Sequence, residues 1–373
     1  MSIRQMFPGS IVKPGFNPLA AQTTIYTGSL YAWGLNTSGQ LGVGNTTNYS
    51  SPKQVGSDDS WVKADAYNAS FGIKSNGTLW SWGANNVGQL GLGNRTNYSS
   101  PKQVGALTSW STISVFNHIV ALKTDGTLWT WGQNNEGQMG VGNTTLYSSP
   151  VQVGSLTTWA YAVAGENYTV AIKTDGTLWS WGISTFGQLG LNNRTSYSSP
   201  KQVGALTNWA KVSGGAVTAA VKTDGTLWTW GYNGIGGLGL GNTTSYSSPK
   251  QVGSLTNWSV TSGKSYGCGA IKTNGTLWAW GQNGFGQLGL GDTSDRSSPN
   301  QVGALTTWLQ LSTSYKFTTA RKTDGTIWSW GNGTFGRLGL SNTTYYSSPK
   351  QIGGLTNWLY AVSGYNHAFG LTG

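Results

Sequence analysis

The chain has 373 residues, of which only 9% are charged, and it carries 57 glycines, 20 tryptophans and 17 tyrosines. Soluble domains average about 25% charged residues and about 7% glycine, so the composition is that of a turn-rich, aromatic-rich, all-β chain. No apolar run approaches the roughly 18 residues of a membrane span, and no three-residue glycine period marks a collagen. The single cysteine, Cys268, excludes an internal disulfide framework and a Cys-based zinc site. Net charge is +11.

Residues 1–26 come first. Ile11 and Val12 are hemmed in by Gly9, Lys13 and Pro14, so no signal-peptide core of about 7–15 apolar residues exists. The segment holds Pro8, Pro14 and Pro18 together with apolar Met6, Phe7, Ile11, Val12, Phe16 and Leu19. A disordered leader carries fewer apolar residues. The segment reads as an extended docking arm that buries those side chains on a partner or a symmetry mate.

From about residue 27 onward the chain repeats. Trp-Gly recurs at Trp33, Trp82, Trp131, Trp181, Trp230, Trp280 and Trp330, at intervals of 49, 49, 50, 49, 50 and 50. One copy shows the elements in order. Strand A runs from Trp209, strand B is Thr218–Lys222, and Asp224-Gly225 is a hairpin turn signal. Strand C runs from Thr226 to Gly231, with Trp228 and Trp230 on one face. A Gly/Asn-rich loop and Tyr246-Ser-Ser-Pro follow, and Lys250–Gly253 reads as strand D, with Pro249 suiting a sheet edge. No copy has a helical apolar period. Four short antiparallel strands in about 50 residues, seven times, predict a closed seven-bladed β-propeller. The tryptophans agree: seven open strand A, seven stand in Trp-Gly, and six precede it by two residues, Tyr31 holding the missing place.

Both chain ends complete one blade. Residues 358–371 match strands A and B with no C, and Gly28–Gly34 matches C with no A or B. Closure would remove the free sheet edges of an open array.

The chemistry is sparse. His118 and His367 fall at equivalent places, read as bends on the channel rim, and two histidines do not make a zinc site. The turn aspartates are explained by their turns. Asp292, Asp295 and Arg296 form a loop cluster read as a solvated ion pair, a cation site being the alternative. Gly289-Leu-Gly291 opens no helix, so it cradles no phosphate, and no cofactor is expected. Lysines recur before the B–C turns and after the Ser-Pro pairs, spread around the ring instead of clustering, which argues against nucleic acid.

Sites are sought where the copies differ. The A–B bends carry Tyr67, Asn68, Phe116, His118, Glu166, Tyr168, Lys264, Tyr266, Tyr315, Lys316, Tyr365 and His367. The C–D loops carry Phe186, Phe285 and Phe335. Both connections lie on one face, which is therefore expected to present these side chains around the channel mouth, for protein or glycan recognition. Drift at exposed bends would give the same variation. The opposite face is nearly uniform, and residues 1–26 are expected to leave from it.

The loop after strand C carries a resemblance. Gly83-Ala-Asn-Asn-Val-Gly-Gln-Leu-Gly91 and Gly281-Gln-Asn-Gly-Phe-Gly-Gln-Leu-Gly289 give Trp-Gly-x-Asn-x-x-Gly-Gln-Leu-Gly, which resembles the repeat of the regulator of chromosome condensation family. Departures are local: Ser184 for Asn, Gly237 and Arg337 for Gln. The resemblance implies a seven-bladed propeller. The family includes a nucleotide-exchange factor that docks on chromatin and a secreted inhibitor of β-lactamases. The intervening Asn-Thr-Thr-x-Tyr-Ser-Ser-Pro-Lys-Gln-Val-Gly is also similar to repeat proteins of aquatic tailed phages. That likeness implies a non-enzymatic virion component: residues 1–26 would bind other virion proteins and the variable face a host surface. The alternative is a regulatory propeller that inhibits or exchanges nucleotide on one partner protein.

Overall fold

A computed structural model describes residues 26–264 and 266–373. Among these described residues twenty-eight strands form seven four-stranded antiparallel sheets. Six blades are contiguous: residues 61–103, 110–152, 159–202, 209–251, 258–301 and 308–351. The seventh takes strands A and B from Trp358–Ser363 and His367–Thr372, and C and D from Leu30–Gly34 and Tyr49–Gln54. Strand C of that blade pairs antiparallel with strand B from the other chain end, over Leu30↔Leu371 to Gly34↔His367. Each strand A packs against the A strands of both neighbours, so the A strands line the channel and the D strands lie outermost. Strand D differs from the sequence reading. It spans Tyr246–Gln251 in blade four, so Pro249 lies inside it. The edge position leaves its missing N–H harmless, and the register shifts between Thr229 and Gly231 beside it.

The hairpins show why the recurring residues recur. Asp224 Oδ1 accepts hydrogen bonds from the Thr226 N–H at 2.9 Å and the Thr226 hydroxyl at 2.6 Å. Thr226 Oγ1 in turn accepts from the Trp228 indole at 2.9 Å. Asp-Gly-Thr-Leu-Trp is thus one relay, repeated in the five other contiguous blades with Asp or Asn at its head. Gly225 has φ +79°, and a Cβ there would meet Thr256 O at 2.1 Å, so glycine is required twice over.

The core lies between blades. The Trp230 indole donates at 3.0 Å to Gln188 O of the preceding blade, and Trp82, Trp131 and Trp330 do the same to Gln40, Gln89 and Gln287. Trp-Gly and Gly-Gln-Leu-Gly are therefore the two halves of one joint. Each Trp-Gly indole also meets the strand-A indole of its own blade edge-on, as Trp209 meets Trp230 at 6.0 Å and 62°. Both sets of seven tryptophans are buried. The six others are half-buried and covered by the lysine that precedes each turn. Lys222 Nζ lies 3.8 Å from the Trp228 ring centroid, and Lys123, Lys173, Lys272 and Lys322 lie at 3.6–3.7 Å from theirs. Much of the periodic positive charge is spent on cation–π contacts within the scaffold.

Candidate functional site

The copies differ in length as well as composition, and the difference sits in one place. Every Trp-Gly tryptophan is followed 28 residues later by the next strand-A tryptophan. From that residue to the next Trp-Gly the interval is 21 in blades one, two and four and 22 in blades three, five and six. The extra residue falls in the A–B bend, as Gly165-Glu166-Asn167 against Tyr67-Asn68 shows.

These bends bring aromatic rings together. Phe116 stacks on Tyr67 at 3.9 Å and 19°. Tyr67 meets Tyr365 at 5.2 Å, Tyr365 meets Tyr315 at 5.9 Å, and Tyr315 meets Tyr266 at 5.6 Å. Tyr266 continues to Tyr232 at 5.3 Å, and Tyr232 to Phe186 at 4.9 Å. Seven rings from blades two, one, seven, six, five, four and three thus form an aromatic belt around the mouth. Phe186, the outermost, is 45% exposed. Asn68 donates to Asn117 at 3.3 Å beside the Phe116–Tyr67 stack. Lys316 Nζ stands 5.6–5.9 Å from Phe285, Tyr315 and Tyr365. Phe285 pairs with Tyr345 at 6.2 Å, and Phe335 lies under the Arg337 guanidinium at 5.5 Å. Tyr232 is not among the residues that the sequence singles out. The residue after Trp-Gly varies between copies (Leu35, Ala84, Gln133, Ile183, Tyr232, Gln282, Asn332), and that was the available signal.

Four expected mouth residues are interior instead. His118, Tyr168 and His367 open strand B and do not belong to the bends, and each is at most 1% exposed. Each ties its blade to the next: His118 Nε2 to Thr169 Oγ1 at 2.8 Å, Tyr168 to Thr218 Oγ1 at 2.6 Å, His367 Nε2 to Ser70 Oγ at 2.8 Å. Burial pushes the His118 imidazole down to about 3. Burial, then the charges of Lys264 and Arg337, do the same for His367, so both rings are neutral. Phe116 belongs to the belt but is only 3% exposed, covered by the Tyr67 stack.

The channel has its own chemistry. Lys264 of blade five reaches across to Asp65 of blade one at 2.5 Å and to Ala66 O at 3.3 Å. Asp65 also accepts from the Val115 N–H at 2.9 Å, and Ser114, Ser262 and Ser312 make the equivalent bond to the next strand A. Lys63 donates to Ser111 O at 2.8 Å and Lys211 to Ser259 O. Burial lowers both ammonium groups to about 8. Glu166 lies half-buried at the mouth, and burial pushes its carboxyl up. Burial raises the phenols of Tyr67, Tyr266 and Tyr315, and the nearby Glu166 charge raises each further.

The Asp292–Asp295 loop is structural. Asp295 caps the Asn283 N–H at 2.6 Å, Asp292 accepts from the Asn283 amide at 3.1 Å, and Arg296 pairs with Asp292 at 2.5 Å. Cys268 is buried in strand B, its thiol pushed up to about 12. Among the described residues no group of three or more His, Cys, Asp or Glu side chains is placed to hold a metal, and no helix is long and apolar enough to cross a membrane. The arm residues Met6, Phe7, Ile11, Val12, Phe16 and Leu19 lie outside the described residues.

The strand order and the Trp-Gly to Gly-Gln-Leu-Gly joint define the class, a closed seven-bladed repeat propeller. The regulator of chromosome condensation (RCC1) repeat matches residues 27–66, 76–119, 125–172, 175–221, 224–269, 274–321 and 324–371, so the chain belongs to that family. No curated protein sequence matches it. Solved structures share the fold at low identity. Human WBSCR16 is 19% identical with a TM-score of 0.82, over 92% of this chain and 98% of that one. Yeast RCC1 (Prp20) bound to Kap60 is 18% identical with a TM-score of 0.84, over 97% and 93%. Prp20p from Saccharomyces cerevisiae, described with its binding to Gsp1p and histones, is 17% identical with a TM-score of 0.83, over 97% and 96%.

Proposed function

We propose that this chain is a non-enzymatic protein-binding propeller that engages its partner with the face of the A–B bends and C–D loops. One observation carries the reading: seven aromatic rings are linked in series on the face where the repeats differ. Tyrosine and phenylalanine supply rigid, amphipathic contact area of the kind that dominates protein interfaces. The opposite face repeats one loop, with Leu107, Leu156, Leu206, Leu255, Leu305 and Leu355 exposed in turn. Yeast Prp20, a propeller of the same fold, is described with protein partners, which fits a regulatory role.

The test compares two double variants in partner capture from the native source. Tyr315→Ala with Tyr365→Ala should lose the partner; Leu206→Ala with Leu305→Ala should keep it. Retention by the belt variant overturns the assignment of the face. A second reading makes the chain a phage virion component anchored by residues 1–26, with a host protein or glycan on the variable face. The apolar residues of that segment and the likeness of the Asn-Thr-Thr-x-Tyr-Ser-Ser-Pro stretches to phage repeat proteins favour it. Deleting residues 1–26 should then release the chain from the particle, and unchanged incorporation would exclude it.

A further inference from the structure

This inference rests on the proposed use of the belt face and concerns what the channel mouth holds. Glu166 belongs to the three-residue bend of blade three, and its N–H donates to Gly215 O of blade four at 3.2 Å, which seats the bend against the next blade. Its carboxylate makes no hydrogen bond and no ion pair among the described residues. The cations of this face are engaged elsewhere: Lys264 on Asp65 and Ala66 O, Arg337 on Thr334 O and the Phe335 ring. Lys316 leans on three rings of the face. The mouth therefore combines a half-buried carboxylate without a counter-ion and ring faces that already attract one ammonium group of the chain itself.

We propose that the channel mouth is a cation-binding site in which Glu166 supplies the charge and Tyr67, Tyr266 and Tyr315 supply the walls for one arginine or lysine side chain of a partner protein. A carboxylate in a partly desolvated place gains most from a cation that brings its own hydrogen-bond donors, and a planar guanidinium also stacks on tyrosine. The burial that raises the Glu166 carboxyl is the penalty such a cation would relieve. A neutral ligand, a glycan included, would stack on the rings and leave that penalty in place.

The experiment titrates the full chain with acetyl-arginine amide and with its uncharged isostere acetyl-citrulline amide, followed by ligand-observed NMR. Arginine should bind at millimolar concentration and citrulline at least tenfold more weakly. Glu166→Gln, checked by circular dichroism for an unchanged fold, should bring arginine down to the citrulline level. Equal binding of the two, or binding of neither, overturns the site, and that comparison needs only the unmodified chain. Partner capture separates the two readings. A partner lost by the Tyr315→Ala, Tyr365→Ala variant but kept by Glu166→Gln removes the cation site and leaves the face. A partner kept by the belt variant removes the face itself.

Discussion

Gly190→Ala tests the joint between blades against a matched control. Gly190 has φ +73°, and a Cβ built there lies 2.7 Å from the Trp230 indole nitrogen and 3.1 Å from two of its ring carbons. Gly204 has φ +61° and nothing within 4 Å of its Cβ. Both alanines must hold a left-handed backbone, at about 1–2 kcal/mol. Only the first must also push an indole out of a packed joint, at about 1–3 kcal/mol. That push strains the 3.0 Å bond from Trp230 to Gln188 O, worth about 0.5–1.5 kcal/mol more. Gly190→Ala should therefore cost about 3–6 kcal/mol and Gly204→Ala about 1–2 kcal/mol by the same reasoning. Urea unfolding followed by near-ultraviolet circular dichroism measures both. Losses equal within about 0.5 kcal/mol, the usual scatter between independent sites, would show that the Trp-Gly to Gly-Gln-Leu-Gly contact carries no energy of its own.

Three further outcomes are expected. Ser184 stands where five other blades use an asparagine to bridge the C–D loop, as Asn85 does to Asn94 O at 3.1 Å, Thr96 O at 3.0 Å and Leu90 N at 2.9 Å. Ser184→Asn should raise stability by about 1–2 kcal/mol, and an unchanged urea midpoint would mean the loop is already satisfied by solvent. A double-mutant cycle of Lys264→Met and Asp65→Asn should give a coupling of about 1–3 kcal/mol, with each single change worse than the pair; additive losses would deny the contact across the channel. Stability should fall with acid in two stages. His118 and His367, held near 3 by burial, lose stability as pH drops below their unfolded value of about 6.5, because only the unfolded chain takes up the protons. The slope is up to about 1.4 kcal/mol per pH unit for each ring. The turn aspartate Asp125 is lowered by its bonds from Thr127. Asp224 is raised by burial but more than compensated by Thr226 and Lys222. Their stabilisation is full above the unfolded carboxylate value and fails below about pH 4. Replacing both histidines should flatten the upper stage alone, and a curve unchanged by that replacement would refute the assignment.

The propeller was legible because its signals are redundant. Six Asp-Gly or Asn-Gly turns, seven Trp-Gly joints and the split blade each imply the others, and one ambiguous strand hardly matters. The site was legible only as a face. The bends were placed at residues 116–118 and 166–168, one residue too far, since strand B begins at His118 and Tyr168. In a strand that one residue decides whether a side chain points to solvent or into the neighbouring blade. Polar residues at such a boundary carry no pattern that betrays burial, because the partners that satisfy them, Thr169, Thr218 and Ser70, belong to the next blade, about 50 residues away or across the chain ends. Tyr232 meets Phe186 and Tyr266 of the neighbouring blades only because the ring curves; no spacing along the chain announces it.

The seam in blade seven has a further meaning. Thr372 N–H donates to Ser29 O at 3.1 Å, so the two ends stand where a B–C hairpin would join them. The family's repeat unit also starts and stops at that turn, running C, D, A, B. The ring therefore has no privileged beginning. A chain cut at Asp224-Gly225 and joined across the present seam by one Asp-Gly hairpin would rebuild the same seven joints in the same order. Such circular permutants would carry their new ends on the uniform face and leave the aromatic belt untouched, so a fused domain could be hung from any blade.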